Sequence, residues 1–300
     1  MNQEIKVSII IPTYDRAKTI CDSVRSVLEQ TYNNIEVIVI DDCSTDNTKD
    51  LLLARFETYT NFTYYKLKNN SGACVARNFG IQLAKGEIVG FLDSDDVLKK
   101  NKIEKQVDFL LKNNAQLCAS SFTRIFRDGK TTVVSVPSDV RENVLNNLLY
   151  CNFITTGTLI GYKYCFEKVE FDESLPRYQD WDLVLRLCQT FKICFINDST
   201  LNKFYQPISI TTSSGPHKTL TALRVIYEKN KELYKTNRKA YSQIHWLIGV
   251  NSTLTRRNVE YTSLLIGATH NGISVKRILL FVISFFHMYS LFEKLYKSVV

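Results

Sequence analysis

The sequence predicts an α/β fold built on a mostly parallel sheet flanked by helices, with a helical extension at the carboxyl end. Three observations predict it. Short apolar runs rich in β-branched residues (VSIII, IEVIVI, EIVGFL) recur within the first 117 residues and alternate with amphipathic stretches, the pattern of parallel strands covered on both faces by helices. A polar cluster follows each run. After Pro207 the apolar spacing turns helical, from about Thr219 onward.

The elements follow in order. The opening MNQEIKVSIIIP carries an apolar run too short for a signal peptide and preceded by an acid rather than a basic region, so it reads as a first core strand. An amphipathic stretch to Gln30 gives a helix, IEVIVI a second strand, and DDCSTDNT a turn running into a helix with Ser44, Thr45 and Asp46 as capping candidates. FTYYKL is a third strand, ACVARNFGIQLA a helix and EIVGFL a fourth strand. The middle region, about Ala119 to Phe204, shows a hairpin around Arg127-Asp128-Gly129-Lys130 and a helix from Gln179. Ile208 to His217 is a Ser/Thr-rich loop. Near the end, an apolar segment from Ile278 to Phe292 is flanked by Lys276, Arg277, Lys294 and Lys297. It falls short of the roughly 20 residues that span a bilayer. A helix lying in a membrane surface is slightly favoured over a core helix packed on the domain.

Composition narrows the class. Three hundred residues, 45% of them hydrophobic, bury a substantial core. The expected organisation is a catalytic domain over residues 1–215, with a nucleotide-binding half to about 117 and an acceptor-binding half after it, then a helical region over 216–300. Eight cysteines without a C-x-x-C pair read as reduced, mostly buried thiols of a cytosolic protein. The net charge of +8 is dispersed, so no nucleic-acid partner is expected, and a membrane surface is at least as good a match.

The chemistry lies in the clusters. Thr13-Tyr14-Asp15-Arg16, Asp41-Asp42-Cys43-Ser44, Asn69-Asn70-Ser71-Gly72 and Asp93-Ser94-Asp95-Asp96 each follow a strand. In an open parallel sheet they gather along one edge, where ligands bind. Asp93 and Asp95 flank a single serine, and in extended backbone both side chains point the same way. Such carboxylates repel unless a cation lies between them. Oxygen ligands suit Mg²⁺ or Mn²⁺, which commonly shares a carboxylate site with a substrate phosphate. Helix capping accounts for one or two of these acids but not for the neighbouring clusters. Asp42 can either accept from a pyrimidine N–H or cap its own helix, and spacing does not separate the two. Arg77 can reach a diphosphate bidentately; a surface ion pair is its ordinary alternative.

Taken together, VSIIIPTYDR, SVLEQTYNNIEVIVIDDCSTDNT, SGACVARNFGIQLAKGEIVGFLDSDD and QDWDLVLRL, in this order and spacing, resemble family 2 of the nucleotide-sugar glycosyltransferases, with the GT-A fold, over about the first two thirds of the chain. The resemblance implies that Thr13, Tyr14 and Asp15 line a nucleoside pocket, that Asp42 recognises the base, and that Arg77 meets the diphosphate. Asp93 and Asp95 match the family's D-x-D, which holds ribose and a diphosphate-bound Mn²⁺ or Mg²⁺, with Asp95 the more direct metal ligand. Asp180 matches the general base. It further implies an inverting, single-hexose transfer from a UDP-sugar, glucose or galactose favoured, to a lipid-linked saccharide. GlcNAc- or GalNAc-diphosphoundecaprenol is the favoured acceptor, with a β-1,3 linkage, at the inner face of the cytoplasmic membrane, in O-antigen, capsule or lipooligosaccharide synthesis.

Two departures stand out. Gln179 replaces the usual acid before Asp180, and the Q-x-x-R-W signature of processive synthases is missing. Asp182 is the rival base; on a helix it does not share a face with Asp180. Trp181 reads first as packing, with acceptor contact as its functional alternative. His217 reads as a loop residue, and His245, His270 and His287 receive no role. A nucleotidyltransferase would need a Gly-rich basic loop after the first strand, which PTYDR does not supply; a non-catalytic nucleotide-sugar binder would not need Asp180.

Overall fold

A computed structural model of the protein describes residues 5–137, 143–205, 215–256 and 259–297. The chain opens with β1 (Val7–Thr13), α1 (Ile20–Leu28), β2 (Ile35–Asp41), α2 (Thr48–Phe56), β3 (Phe62–Lys66), α3 (Ala73–Leu83) and β4 (Ile88–Phe91). Every residue of β1, β2 and β4 is buried. Val7, Ile9 and Ile11 join one core with Ile20, Val24 and Val27 of α1, whereas Ile10 faces α3 at Gly80. Two covered faces explain why these strands read as unbroken apolar runs rather than alternating ones.

The second part of the sheet is mixed: β5 (Val97–Leu98), α4 (Lys102–Lys112), β6 (Leu117–Ile125), β7 (Thr131–Val134), α5 (Val144–Tyr150), a 3₁₀ turn (Thr156–Thr158), β8 (Ile160–Tyr162), α6 (Lys163–Lys168), α7 (Gln179–Cys188) and β9 (Ile193–Phe204). The hairpin expected at Arg127–Lys130 joins β6 to β7, with Gly129 at φ 79°. Strand order is β3-β2-β1-β4-β8-β6-β9-β5, with β7 beside β6. The first four strands are mutually parallel; β4 to β8, β8 to β6 and β9 to β5 are antiparallel.

Successive strands run outward from β1 to β3, then the chain crosses back to place β4 on the other side of β1. That reversal opens a crevice between the carboxyl ends of β1 and β4. The β1–β4 register ends at Ile10↔Phe91, so Pro12, which has no N–H to give, lies beyond the paired stretch on that side.

The chain divides into two compact units, one of Met1–Val144, Phe153–Glu173 and Asp180–Tyr205, the other of Leu145–Asn152, Ser174–Gln179 and Gln206–Val300. The second contains α8 (Gly215–Lys229), α9 (Lys231–Thr236), α10 (Arg238–Thr255), α11 (Tyr261–Thr269), α12 (Val275–Phe285) and α13 (Tyr289–Lys297). Trp246, Val250, Leu264, Leu280, Ile283 and Phe292 form its core. The apolar segment Ile278–Phe292, expected as one helix, is divided between α12 and α13. His287 between them has φ 58°, a left-handed conformation that a continuing helix cannot contain. The Ser/Thr-rich loop lies outside the described residues up to 214. His217 stands in the first turn of α8, exposed, rather than on a loop.

Candidate active site

The loop after β1 is braced by the loop after β2. Asp15 adopts φ 48° and its backbone N–H donates to Ser44 Oγ at 2.9 Å, while its carboxylate accepts from the N–H of Thr45 at 2.7 Å and of Asp46 at 3.3 Å. A short polar side chain that bonds locally tolerates this left-handed conformation. Asp41 is fully buried, accepting from the Ser44 N–H at 2.7 Å and the Tyr64 hydroxyl at 2.5 Å. Thr13 is buried and its hydroxyl has no hydrogen-bond partner among the described residues; Tyr14 is exposed.

Asp42 is buried, and its two oxygens accept from the N–H groups of Ser71 (2.7 Å) and Gly72 (2.8 Å). It therefore fixes the entry to α3 from the end of the neighbouring strand rather than capping the helix after its own strand. Gly72 holds φ 95°, where any L side chain would be strained. Asp42 and Asp15 thus both bond backbone, and a base-facing role must use their remaining lone pairs.

That entry to α3 aims Arg77 at the end of β4. Its guanidinium donates to Asp93 Oδ1 at 2.8 Å and lies 5.3 Å from the centre of the Phe171 ring. Thr156, in the 3₁₀ turn, also donates to Asp93 Oδ1, at 3.3 Å. The other oxygen accepts from Lys203 Nζ at 3.1 Å, and the same ammonium donates to Asp96 Oδ2 at 3.1 Å. Asp96 Oδ1 accepts from the Phe204 N–H at 3.1 Å. Asp96 is buried at 1% exposure and is followed by β5, with the next helix only at Lys102. It starts no helix; it anchors β9.

The three acids diverge electrostatically. Burial opposes ionisation of Asp93, but Lys203 and Arg77 outweigh it and hold its carboxyl well below the ordinary range. Asp95 is raised, first by burial and then by the charge of Asp93, with Lys203 and Arg16 pulling the other way. Burial, then Asp93 and Asp95, push Asp96 up against the pull of Lys203. Burial works against the Lys203 ammonium, but Asp93 and Asp96 keep it protonated. Among the described residues Asp95 alone of the three has no ion-pair partner.

Asp180 opens α7 with Oδ1 accepting from the Trp181 N–H at 2.8 Å, and it is partly exposed. Burial raises its pKa against the Trp181 N–H, with the charges of Lys203 and Arg77 lowering it and that of Asp93 raising it. Asp182, the rival base, is fully buried and bound by Arg186 Nε at 2.9 Å and Nη2 at 2.6 Å, so it serves the packing of α7. Trp181 is 3% exposed. Its ring is packed inward, and the acceptor contact is withdrawn.

Sequence reasoning named Arg77, Asp93, Asp95 and Asp180, and of these the structure joins Arg77 to Asp93 directly. That reasoning missed Lys203, Thr156 and Phe171. No local signal marks them: a lysine in LNKF and a threonine in ITTGT are ordinary residues until the register of β9 and the turn before β8 are known. Among the described residues, no group of three or more His, Cys, Asp or Glu side chains is arranged to hold a metal ion. A divalent ion would find Asp95 without a counter-charge and Asp93 already bonded to two cations, in keeping with Asp95 as the more direct of the two expected ligands. That donor set fits an ion completed by a substrate diphosphate and water.

The sequence profile of Glycosyl transferase family 2 matches residues 8–163, more than half of the chain. A putative teichuronic acid biosynthesis glycosyltransferase, TuaG of Bacillus subtilis, is 45% identical over 117 residues, 39% of this chain and 45% of that protein. WfgD of Escherichia coli, a UDP-Glc:alpha-D-GlcNAc-diphosphoundecaprenol beta-1,3-glucosyltransferase, is 38% identical over 143 residues, 46% of this chain and 54% of its own. The chain spans less than half the length of the first curated relatives it matches. The crystal structure of Staphylococcus aureus TarS 1-349 in complex with UDP-GlcNAc superposes with a TM-score of 0.67 at 18% identity, covering 98% of this chain and 91% of that one, which establishes a shared GT-A fold.

Proposed function

The chain belongs to glycosyl transferase family 2, and from that premise we propose that it moves a single hexose from a UDP-sugar to a lipid-linked saccharide in bacterial surface-polysaccharide synthesis, with inversion at the anomeric carbon. The observation that supports this best is the Arg77–Asp93 pair just after β4, with Asp95 two residues on and Asp180 within reach of the charges of Asp93 and Arg77. Glucose or galactose as donor sugar, and GlcNAc- or GalNAc-diphosphoundecaprenol as acceptor with a β-1,3 linkage, are supported by the likeness to WfgD.

The chemistry assigns one task to each group. The acceptor hydroxyl attacks the anomeric carbon as the bond to the diphosphate oxygen breaks, and Asp180 accepts the hydroxyl proton; its raised pKa brings it nearer to neutrality, where a base is most effective. Negative charge grows on the departing diphosphate, and Arg77, preset by Asp93 and Phe171, faces it. A bound Mn²⁺ or Mg²⁺, met by Asp95, would add Lewis-acid stabilisation of the same charge. Thr13, Tyr14, Asp15 and Asp42 would line the nucleoside side of the cleft. Replacing Asp180 by Asn is expected to lower turnover by about 10²–10⁴-fold while UDP affinity, measured by calorimetry, stays within a factor of about three. Undiminished transfer would remove Asp180 as base, and no transfer from any UDP-sugar to diphospho-lipid acceptors would overturn the donor class.

A membrane-surface location is supported by the second unit. No helix among the described residues is long and apolar enough to cross a membrane. Val275, Leu279, Val282 and Phe286 lie three or four residues apart along α12 and are 40–78% exposed, with Lys276 and Lys294 also exposed. An apolar stripe with cations beside it suits an anionic lipid surface. Val282→Glu is expected to abolish sedimentation with phosphatidylglycerol vesicles; a wild-type protein that stays in the supernatant would rule this location out.

A further inference from the structure

Lys203 occupies the centre of the acidic cluster yet belongs to a strand more than a hundred residues further along. The register Val97↔Asn202 and Leu98↔Leu201 brings the end of β9 against the chain just after Asp96, and the Phe204 N–H to Asp96 Oδ1 contact closes the arrangement around the lysine. Its ammonium is then 3.1 Å from Asp93 and 3.1 Å from Asp96. Arg77 takes the remaining oxygen of Asp93. Of three carboxylates within four residues, two are thus already neutralised by the chain's own cations.

We infer that Lys203 is a built-in counter-ion that makes the site accept a divalent ion as its nucleoside-diphosphate complex in preference to the free ion. A free divalent ion entering the cleft meets one carboxylate without a counter-charge, Asp95, and is repelled by Lys203 and Arg77. A complex carrying a diphosphate brings negative charge that those two cations attract, and phosphate oxygens complete the ion's coordination. Lys203 acts through Asp93 and Asp96 and is a positioning residue; a purely structural lysine would leave metal preference unmoved.

The inference rests on the reading that Asp95 meets a metal, and the test separates the two. Mn²⁺ is titrated calorimetrically into the wild-type protein and into Lys203→Gln, each with and without UDP. Wild type is expected to bind Mn²⁺ at least about tenfold more tightly when UDP is present. In K203Q the affinity for Mn²⁺ alone should rise by about tenfold, because Asp96 and the Asp93 oxygen that Lys203 held lose their counter-charge, and K203R should return it to the wild-type level. Unchanged or weaker binding of free Mn²⁺ by K203Q, in a wild type that does bind Mn²⁺ with UDP, overturns the role of Lys203 alone. Absence of Mn²⁺ binding to wild type even with UDP removes the metal reading and this inference together. Should K203Q fail to melt cooperatively, the double variant Asp96→Asn/Lys203→Gln removes both partners of the Lys203–Asp96 pair, and it must still bind free Mn²⁺ more tightly than Asp96→Asn alone, through the Asp93 oxygen that Lys203 held.

Discussion

In the parallel half of the sheet, β1 to β4, each strand ends in a polar cluster that the sequence itself displays, and those clusters carry Asp15, Asp42, Asp93 and Asp95. In the mixed half, β5, β6, β8 and β9, the residues that reach the same carboxylates sit inside unremarkable stretches: Thr156 in a 3₁₀ turn and Lys203 near the end of a twelve-residue strand. The parallel half holds its acids by contacts between neighbouring loops, such as Asp15 to Thr45 and Asp42 to Gly72. The mixed half delivers a charge and a hydroxyl from a distance. One half supplies the acids, and the other largely decides which of them remain open to a ligand.

The comparison breaks most sharply at Arg77, the cation the parallel half supplies. Arg77→Met should lower kcat/KM for the UDP-sugar by about 10²–10³-fold, as loss of a group facing developing negative charge does. A loss under tenfold in steady-state kinetics would mean that Lys203 alone carries that task. A smaller effect concerns rigidity. A Cβ at Gly86 would sit 2.7 Å from the Ser8 backbone nitrogen and 2.8 Å from the Lys6 carbonyl oxygen, so Gly86→Ala in the parallel half is expected to cost about 1–3 kcal/mol. At Gly157 the first clash is with Leu201 Cδ2 at 2.9 Å, the tip of a side chain that can turn, and the cost should be below about 1 kcal/mol. Urea denaturation of both variants measures this; the reverse order would make the mixed half the stiffer one.

The smallest effect is on pH dependence. Asp180 must be ionised to accept a proton, and burial raises its pKa above the usual 3.8. Turnover should therefore be full above that raised value and fall as pH drops through it. With saturating Mn²⁺ keeping Asp95 ionised, an acid limb of kcat at the ordinary carboxylate position would show that another group titrates there.

Much of the site was legible because its signals are local. A carboxylate directly after a buried strand has few places to point, and four such clusters in a βα alternation locate one edge of one sheet. Other positions had two outcomes that local pattern does not separate. Trp181 reads first as packing, and its burial agrees with that rather than with an acceptor contact. Asp96 could start a helix or support its neighbours, and β5 follows it instead of a helix. The run from Ile278 to Phe292 suited one helix until His287 turned left-handed. Asp42 lay between these cases: its position at a strand end was visible, whereas its bonds to Ser71 and Gly72 depend on the loop after the neighbouring strand β3.

The sequence by itself determined the α/β class, the order of the first four strands along the chain and the identity of the acids, since apolar periodicity and the residues after each strand are properties of neighbours in the chain. Only the tertiary structure decided which of the three acids has no ion-pair partner among the described residues. That choice depends on Arg77 and Lys203 approaching Asp93 from opposite directions in the chain, and charge interactions act through space at a few ångströms, without regard to sequence separation.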